Sequence, residues 1–141
     1  MTTIAYRNGV LASDSLVTSG NARAGKVKKI AKGKGVMGGM SGSAEACQAF
    51  IEWIENGADG VCPGLEGTEA DGILIRGRKT FYVGPKGTPV PFKAKFAAVG
   101  SGEKLALGAM AMGADAAMAV KVASKLDISS GGAVRTLKLK A

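Results

Sequence analysis

Residues 2–17 read Thr2-Thr3-Ile4-Ala5-Tyr6-Arg7-Asn8-Gly9-Val10-Leu11-Ala12-Ser13-Asp14-Ser15-Leu16-Val17. Two runs rich in β-branched, aromatic and aliphatic residues flank Asn8-Gly9. That dipeptide suits a two-residue turn whose central positions both need positive φ. The segment predicts a hairpin of Thr2–Arg7 against Val10–Val17. Pairing Arg7 with Val10 sets Tyr6 against Leu11, Ala5 against Ala12 and Thr3 against Asp14. Thr2 then lies opposite Ser15 at the open end, with Asp14 one place away. Strict pleating puts Asp14 on the Thr3 face, so the strand end must bend if Asp14 is to serve Thr2.

Outward from this hairpin, Thr18–Asn21 reads as a turn, Lys26–Ala31 as a short basic strand, and Val36–Met40 as a small-residue strand. Ser41-Gly42-Ser43 opens a helix over Ala44–Glu55, with Ser43 as N-cap and Glu45 in the first turn. Ala46, Phe50, Trp53 and Ile54 recur at helical spacing on its apolar face. Ala58–Ala70 is an acidic loop. Gly72–Arg76 and Lys79–Val83 form a second hairpin, Gly84–Pro91 a turn, and Phe92–Val99 a further strand. Gly100-Ser101-Gly102 leads into a helix over Glu103–Met112, Asp115 caps another ending at Lys125, and Ala133–Leu139 is a last strand. Hairpins outnumber β-α-β alternation. The order predicts an α+β fold of antiparallel sheets covered by helices, in one domain over residues 1–141.

The chain has 141 residues, 46% of them hydrophobic and 21% charged, which is globular composition. It contains no histidine. Ser-His-Asp, Cys-His and H-E-x-x-H chemistries are thereby excluded, because each needs an imidazole. Cys47 and Cys62 form no CxxC pair, and neither a metal nor another cofactor is expected. The N-terminus shows no signal-peptide pattern, and the longest weakly charged stretch, Leu105–Val120, falls short of the ~20 residues of a membrane span. A cytoplasmic protein without a membrane partner is expected.

The net charge is +8 but is unevenly placed. Gly35–Ile75 carries seven acids and no Lys or Arg, whereas Arg23–Lys34 carries six bases and no acid. Such polarity suits acidic partners or unlike faces of neighbouring subunits; an ordinary solvated basic face is the plainer alternative.

With histidine gone, Thr2 is the group that stands out. Removal of Met1 is expected before so small a residue. Thr2 would then carry a hydroxyl and a free α-amine, a nucleophile and base on one residue. An α-amine of pKa ~7.7–8.0 is neutral in about one molecule in seven at pH 7, against about 0.04% for an unperturbed lysine. A lysine serves such a site better as a cation that lowers its neighbours' pKa values. Two ordinary strand threonines are the alternative reading of Thr2-Thr3.

Six ordered motifs weigh against that alternative. Thr2-Thr3-Ile4 with Arg7-Asn8-Gly9, Asp14 to Asn21, Gly25 to Ile30, Met40-Ser41-Gly42-Ser43-Ala44, Gly100-Ser101-Gly102 and Asp127 to Val134 together resemble the proteasome β-subunit and HslV peptidases, within the N-terminal nucleophile hydrolases. The likeness is strongest to the bacterial HslV-like branch and spans residues 2–134. It implies a four-layer αββα sandwich with one outer helix layer reduced to Ala44–Glu55. It also implies threonine-type peptide hydrolysis: Thr2 as nucleophile, Lys29 as the cation, Asp14 orienting it, and Gly42 N–H as oxyanion donor. Ser101, Asp127 and Ser130 would form the supporting network, and Thr18, Met40 and Ala44 would contact substrate.

The resemblance further implies a peptide or unfolded-protein substrate, a homo-oligomeric ring and, as in HslV, an ATPase unfoldase. No propeptide beyond Met1 is expected. The second long helix that helps build subunit contacts in the family is replaced here by the acidic loop. A catalytically inactive binding or assembly protein on the same fold is the second reading. Nucleic-acid binding through Arg23–Lys34 is not favoured, because no aromatics interleave its bases and the resemblance gives Lys29 another role.

Overall fold

A computed structural model describes residues 2–19 and 22–139. The expected removal of Met1, and the Gly20-Asn21 part of the first turn, lie outside the described residues. The order is β1 (Thr3–Arg7), β2 (Val10–Ser13), β3 (Leu16–Ser19), β4 (Ala22–Lys26), β5 (Ile30–Gly33), β6 (Val36–Gly42), α1 (Ala44–Glu55), β7 (Ala70–Arg76), β8 (Lys79–Val83), β9 (Pro89–Phe92), β10 (Phe96–Gly100), α2 (Glu103–Ala111), α3 (Ala116–Leu126) and β11 (Arg135–Lys138). A four-stranded sheet runs β10-β1-β2-β11, a five-stranded sheet β5-β6-β7-β8-β9, and β3-β4 form a ribbon; every pairing is antiparallel.

The first hairpin has the register read from its turn, with Arg7 on Val10, Tyr6 on Leu11 and Ala5 on Ala12. Asn8 and Gly9 take the positive φ values, 50° and 79°, that the turn demands. The returning strand differs from expectation in one respect. It stops at Ser13 rather than running to Val17, and Thr2 does not pair with Ser15. Instead the Ser15 and Leu16 amides both donate to the Gly131 carbonyl, at 3.0 and 3.1 Å, and the chain leaves the sheet to start the β3-β4 ribbon. This is the bend the Asp14 position needs.

Two other expected strands are divided. Lys26–Ala31 is split between β4 and β5, so Lys29 sits in the link between them rather than within a strand. Phe92–Val99 is split by Lys93-Ala94-Lys95, which crosses from the five-stranded to the four-stranded sheet. In both places a polar link changes sheets, a move that a run of strand-forming residues does not reveal.

Three buried clusters hold the chain together. Phe50, Trp53 and Ile54 of α1 pack on Val36, Met40 and Leu74 of the five-stranded sheet. Ile4, Leu11 and Val99 of the four-stranded sheet meet Ile30, Met37, Ile73 and Ile75 of the five-stranded one. Ala5, Ala12 and Ala98 receive Ala106, Met110, Ala119, Val120 and Ala123 of α2 and α3. Alanine dominates this third cluster, so the helices can approach the sheet closely. Ser43 and Asp115 cap α1 and α3 through the Ala46 and Met118 amides, at 3.1 and 2.8 Å. Arg7 donates to the Met110 and Ala114 carbonyls, which fastens the far end of β1 to the α2–α3 turn.

Candidate active site

Asp14 organises one side of the site. Its Oδ1 accepts the Thr3 amide and the Lys29 ammonium, each at 3.0 Å. Its Oδ2 accepts Lys29 Nζ and the Gly131 amide, also at 3.0 Å. Asp14 is wholly buried and Lys29 is 4% exposed. A carboxylate removed from water needs such partners, and here each oxygen has two. Three segments far apart in sequence are fixed to one another as a result. Burial pushes the Lys29 ammonium below the ordinary lysine value, and the neighbouring Asp14 carboxylate opposes that shift.

A second network reaches Thr2 through Ser101. Ser101 Oγ lies 2.6 Å and Ser130 Oγ 2.5 Å from Asp127 Oδ2. Each hydroxyl has one proton, and a carboxylate is the stronger acceptor, so both donate to Asp127. Ser101 is then left to accept the Thr2 amide at 3.2 Å, and Ser130 to accept the Thr3 hydroxyl at 2.7 Å. Thr2 and Thr3 are thus tied to one carboxylate through two serines. Burial raises the Asp127 pKa, but the hydrogen bonds from Ser101, Ser130 and the Ser129 amide outweigh it and leave the group below its usual value.

Glycine allows these parts to approach. The Gly102 amide donates to the Thr2 carbonyl at 3.3 Å, and a Cβ at Gly102 would collide with the Thr3 hydroxyl. Gly42 has φ 149°, and a Cβ there would strike the Glu69 carbonyl.

Thr2, Lys29, Gly42, Ala44 and Thr18 line one cleft of about 430 Å³, with Thr2 itself 5% exposed. The structure therefore brings together the nucleophile, cation and oxyanion candidates with two of the three substrate-contact candidates. Ser101, Asp127 and Ser130 do not line the cleft and reach Thr2 and Thr3 through hydrogen bonds. Met40 differs from expectation. Its side chain is fully buried in the α1 core, because β6 alternates and Met40 points toward Phe50 and Leu74.

The place at the cleft wall is taken by Cys47, whose Sγ donates to the Met40 carbonyl at 3.2 Å, and by Gln48 and Ile51. No motif in the sequence singles out these three. A signal was present: 44, 47, 48 and 51 follow one another at helical spacing, so a helix that offers Ala44 to the cleft offers the others too. Burial raises the Cys47 thiol pKa, and Lys29 partly opposes this.

No family model and no curated protein matches the chain. Solved structures do. BPH of Thiobacillus denitrificans in complex with epoxomicin is 22% identical, with a TM-score of 0.71 over 99% of both chains. A second structure of Thiobacillus denitrificans BPH is 22% identical, with a TM-score of 0.67 over 99% of this chain and 97% of that one. HslV from Trypanosoma brucei is 20% identical, with a TM-score of 0.70 over 98% and 99%. The chain shares the HslV fold across nearly its whole length, as the sequence motifs had suggested.

Proposed function

We propose that this chain is a threonine-type endopeptidase that uses Thr2, exposed by removal of Met1, within a self-associated ring. The observation that carries the proposal is the meeting of Thr2, Lys29 and Gly42, from three separate segments, in one cleft. The buried Asp14–Lys29 pair supports it on one side and the Ser101–Asp127 chain on the other. The three core clusters support a four-layer αββα arrangement, α1 forming the reduced outer layer.

In this mechanism Thr2 Oγ attacks the scissile carbonyl carbon while the Thr2 amine takes the hydroxyl proton. The carbonyl oxygen becomes an oxyanion, received by the Gly42 N–H; one such donor is worth ~2.7–4 kcal/mol in other enzymes. Lys29 supplies positive charge beside the nucleophile, and Asp14 holds it there. Collapse of the intermediate breaks the C–N bond, and the departing amine takes the proton from the Thr2 ammonium. The remaining ester is cleaved by water, with the Thr2 amine again acting as base, and the free Thr2 returns. Thr18, Ala44 and Cys47 contact the substrate side chain on the cleft wall.

The substrate class is peptide or unfolded protein, the setting cytoplasmic, and an ATPase unfoldase the expected partner of an HslV-like ring. Among the described residues no helix is long and apolar enough to cross a membrane.

Intact mass before and after treatment with a peptide epoxyketone tests this reading. The reagent needs both the hydroxyl and the free amine of an N-terminal threonine, and BPH was solved with epoxomicin bound. A mass lacking Met1 that gains one adduct is expected. Protein that retains Met1 and gains no mass would favour the inactive scaffold instead.

A further inference from the structure

A second cavity lies apart from the Thr2 cleft. It has a volume of about 860 Å³ and opens at the other end of β1, beside Asn8. At about 3.4 Å per residue, β1 separates the two by roughly 20 Å. Phe92 and Tyr6, which pack in the cluster between the two sheets, give it apolar walls. Arg78, Lys79, Lys93 and Lys95, all exposed, surround it, and no carboxylate is among its lining residues. Among the described residues, none of these four cations is in an ion pair.

The acidic loop that stands where the family has a helix offers the matching surface. Asp59 and Glu66 are exposed and, among the described residues, in no ion pair. Between them Val61 is 56% exposed, an apolar side chain at the surface of a charged segment. The loop is held in place on both flanks. Trp53 Nε1 donates to the Asp59 carbonyl at 2.9 Å, Arg76 to the Ala58 carbonyl at 2.7 Å, and the Cys62 amide to the Gly87 carbonyl at 2.9 Å. A pre-ordered loop loses little conformational freedom on binding.

We infer that this cation-rimmed cavity receives the Asp59–Glu66 loop of a second copy of the chain, with Val61 against the aromatic walls and the carboxylates among Arg78, Lys79, Lys93 and Lys95. Charge complementarity carries the assignment: each surface is unneutralised in its own copy, and each supplies what the other lacks. The two surfaces are different patches of one molecule, so the contact is head-to-tail. Such contacts close into a ring or run into a filament according to the rotation they impose.

Sedimentation velocity on the full chain and two charge-reversed variants tests the inference. One variant carries Arg78→Glu and Lys93→Glu, the other Asp59→Lys and Glu66→Lys. Wild type is expected to self-associate, more weakly as salt rises. Each variant alone should associate at least about tenfold more weakly at 0.1 M salt. An equimolar mixture should recover assembly, because each variant's altered surface then meets an opposite charge on the other. Recovery on mixing also shows that both variants are folded. A monomeric wild type, an assembly indifferent to either reversal, or a mixture that fails to recover would each overturn the inference. Assembly is read without substrate, so these outcomes are separate from the fate of Thr2 as a nucleophile.

Discussion

Lys29 Nζ lies 3.0 Å from both carboxylate oxygens of Asp14, where the lysine side chain is 4% and the aspartate 0% exposed. Removing one member leaves the other charged and buried, which costs about 3–5 kcal/mol in comparable pairs. Lys29→Ala should therefore destabilise the fold by that order in urea denaturation. The double variant Asp14→Asn/Lys29→Met should lose less than the two single changes added together. Losses that simply add would mean that the pair is not energetically coupled.

The Asp14–Lys29 pair also marks how far the sequence could be read. Asn8-Gly9 specified the hairpin and its register through turn chemistry alone, and Ser43 and Asp115 marked helix starts because their side chains cap amides locally. Helix faces followed from spacing. What escaped was every feature decided by a partner remote in sequence. β2 ends at Ser13 because Gly131, more than a hundred residues later, takes the next amides. Lys29 leaves its strand beside a carboxylate fifteen residues earlier. The side of β6 on which Met40 falls depends on which of two apolar layers, α1 or the opposing sheet, it meets. No local pattern distinguishes two buried faces of one strand. The site residues themselves became legible through motif resemblance, not through periodicity.

Replacing Thr2 with alanine separates chemistry from folding. The threonine amide bonds to Ser101 and its carbonyl to Gly102, and both survive in alanine because they are backbone groups. Thr2→Ala should lower turnover of a fluorogenic peptide by roughly a thousandfold or more, as loss of a nucleophile does elsewhere. Its thermal unfolding should stay near wild type. Comparable activity in the variant would remove Thr2 from the mechanism.

Cys47 and Cys62 should differ in reactivity. Cys62 is 2% exposed, and burial pushes its thiol up to about 11. Cys47 is half-buried, lines the Thr2 cleft, and has Lys29 opposing the upward shift. A small alkylating reagent should modify Cys47 first, as read by peptide mapping, since reactivity follows the thiolate and its access. The added group would occupy the cleft and raise KM for peptides with bulky side chains. Modification of Cys47 without any effect on peptide cleavage would show that substrate does not reach α1.

Asp127 should give the fold an acid-sensitive component. Burial raises its pKa, the hydrogen bonds from Ser101, Ser130 and Ser129 lower it by more, and the net position is below the ordinary value of about 4. As pH falls through that ordinary value, the unfolded chain takes up a proton that the native carboxylate still refuses. The unfolded state then binds more protons, so stability decreases with falling pH until the native group is protonated as well. Wild type should therefore lose urea resistance more steeply below about pH 4 than Asp127→Asn, which has no carboxylate to protonate. The variant should be less stable than wild type at neutral pH, where Ser101 and Ser130 lose their charged acceptor, and the two curves should converge in acid. Parallel curves from neutral to acid pH would mean that the serine hydrogen bonds do not hold Asp127 in its ionised form.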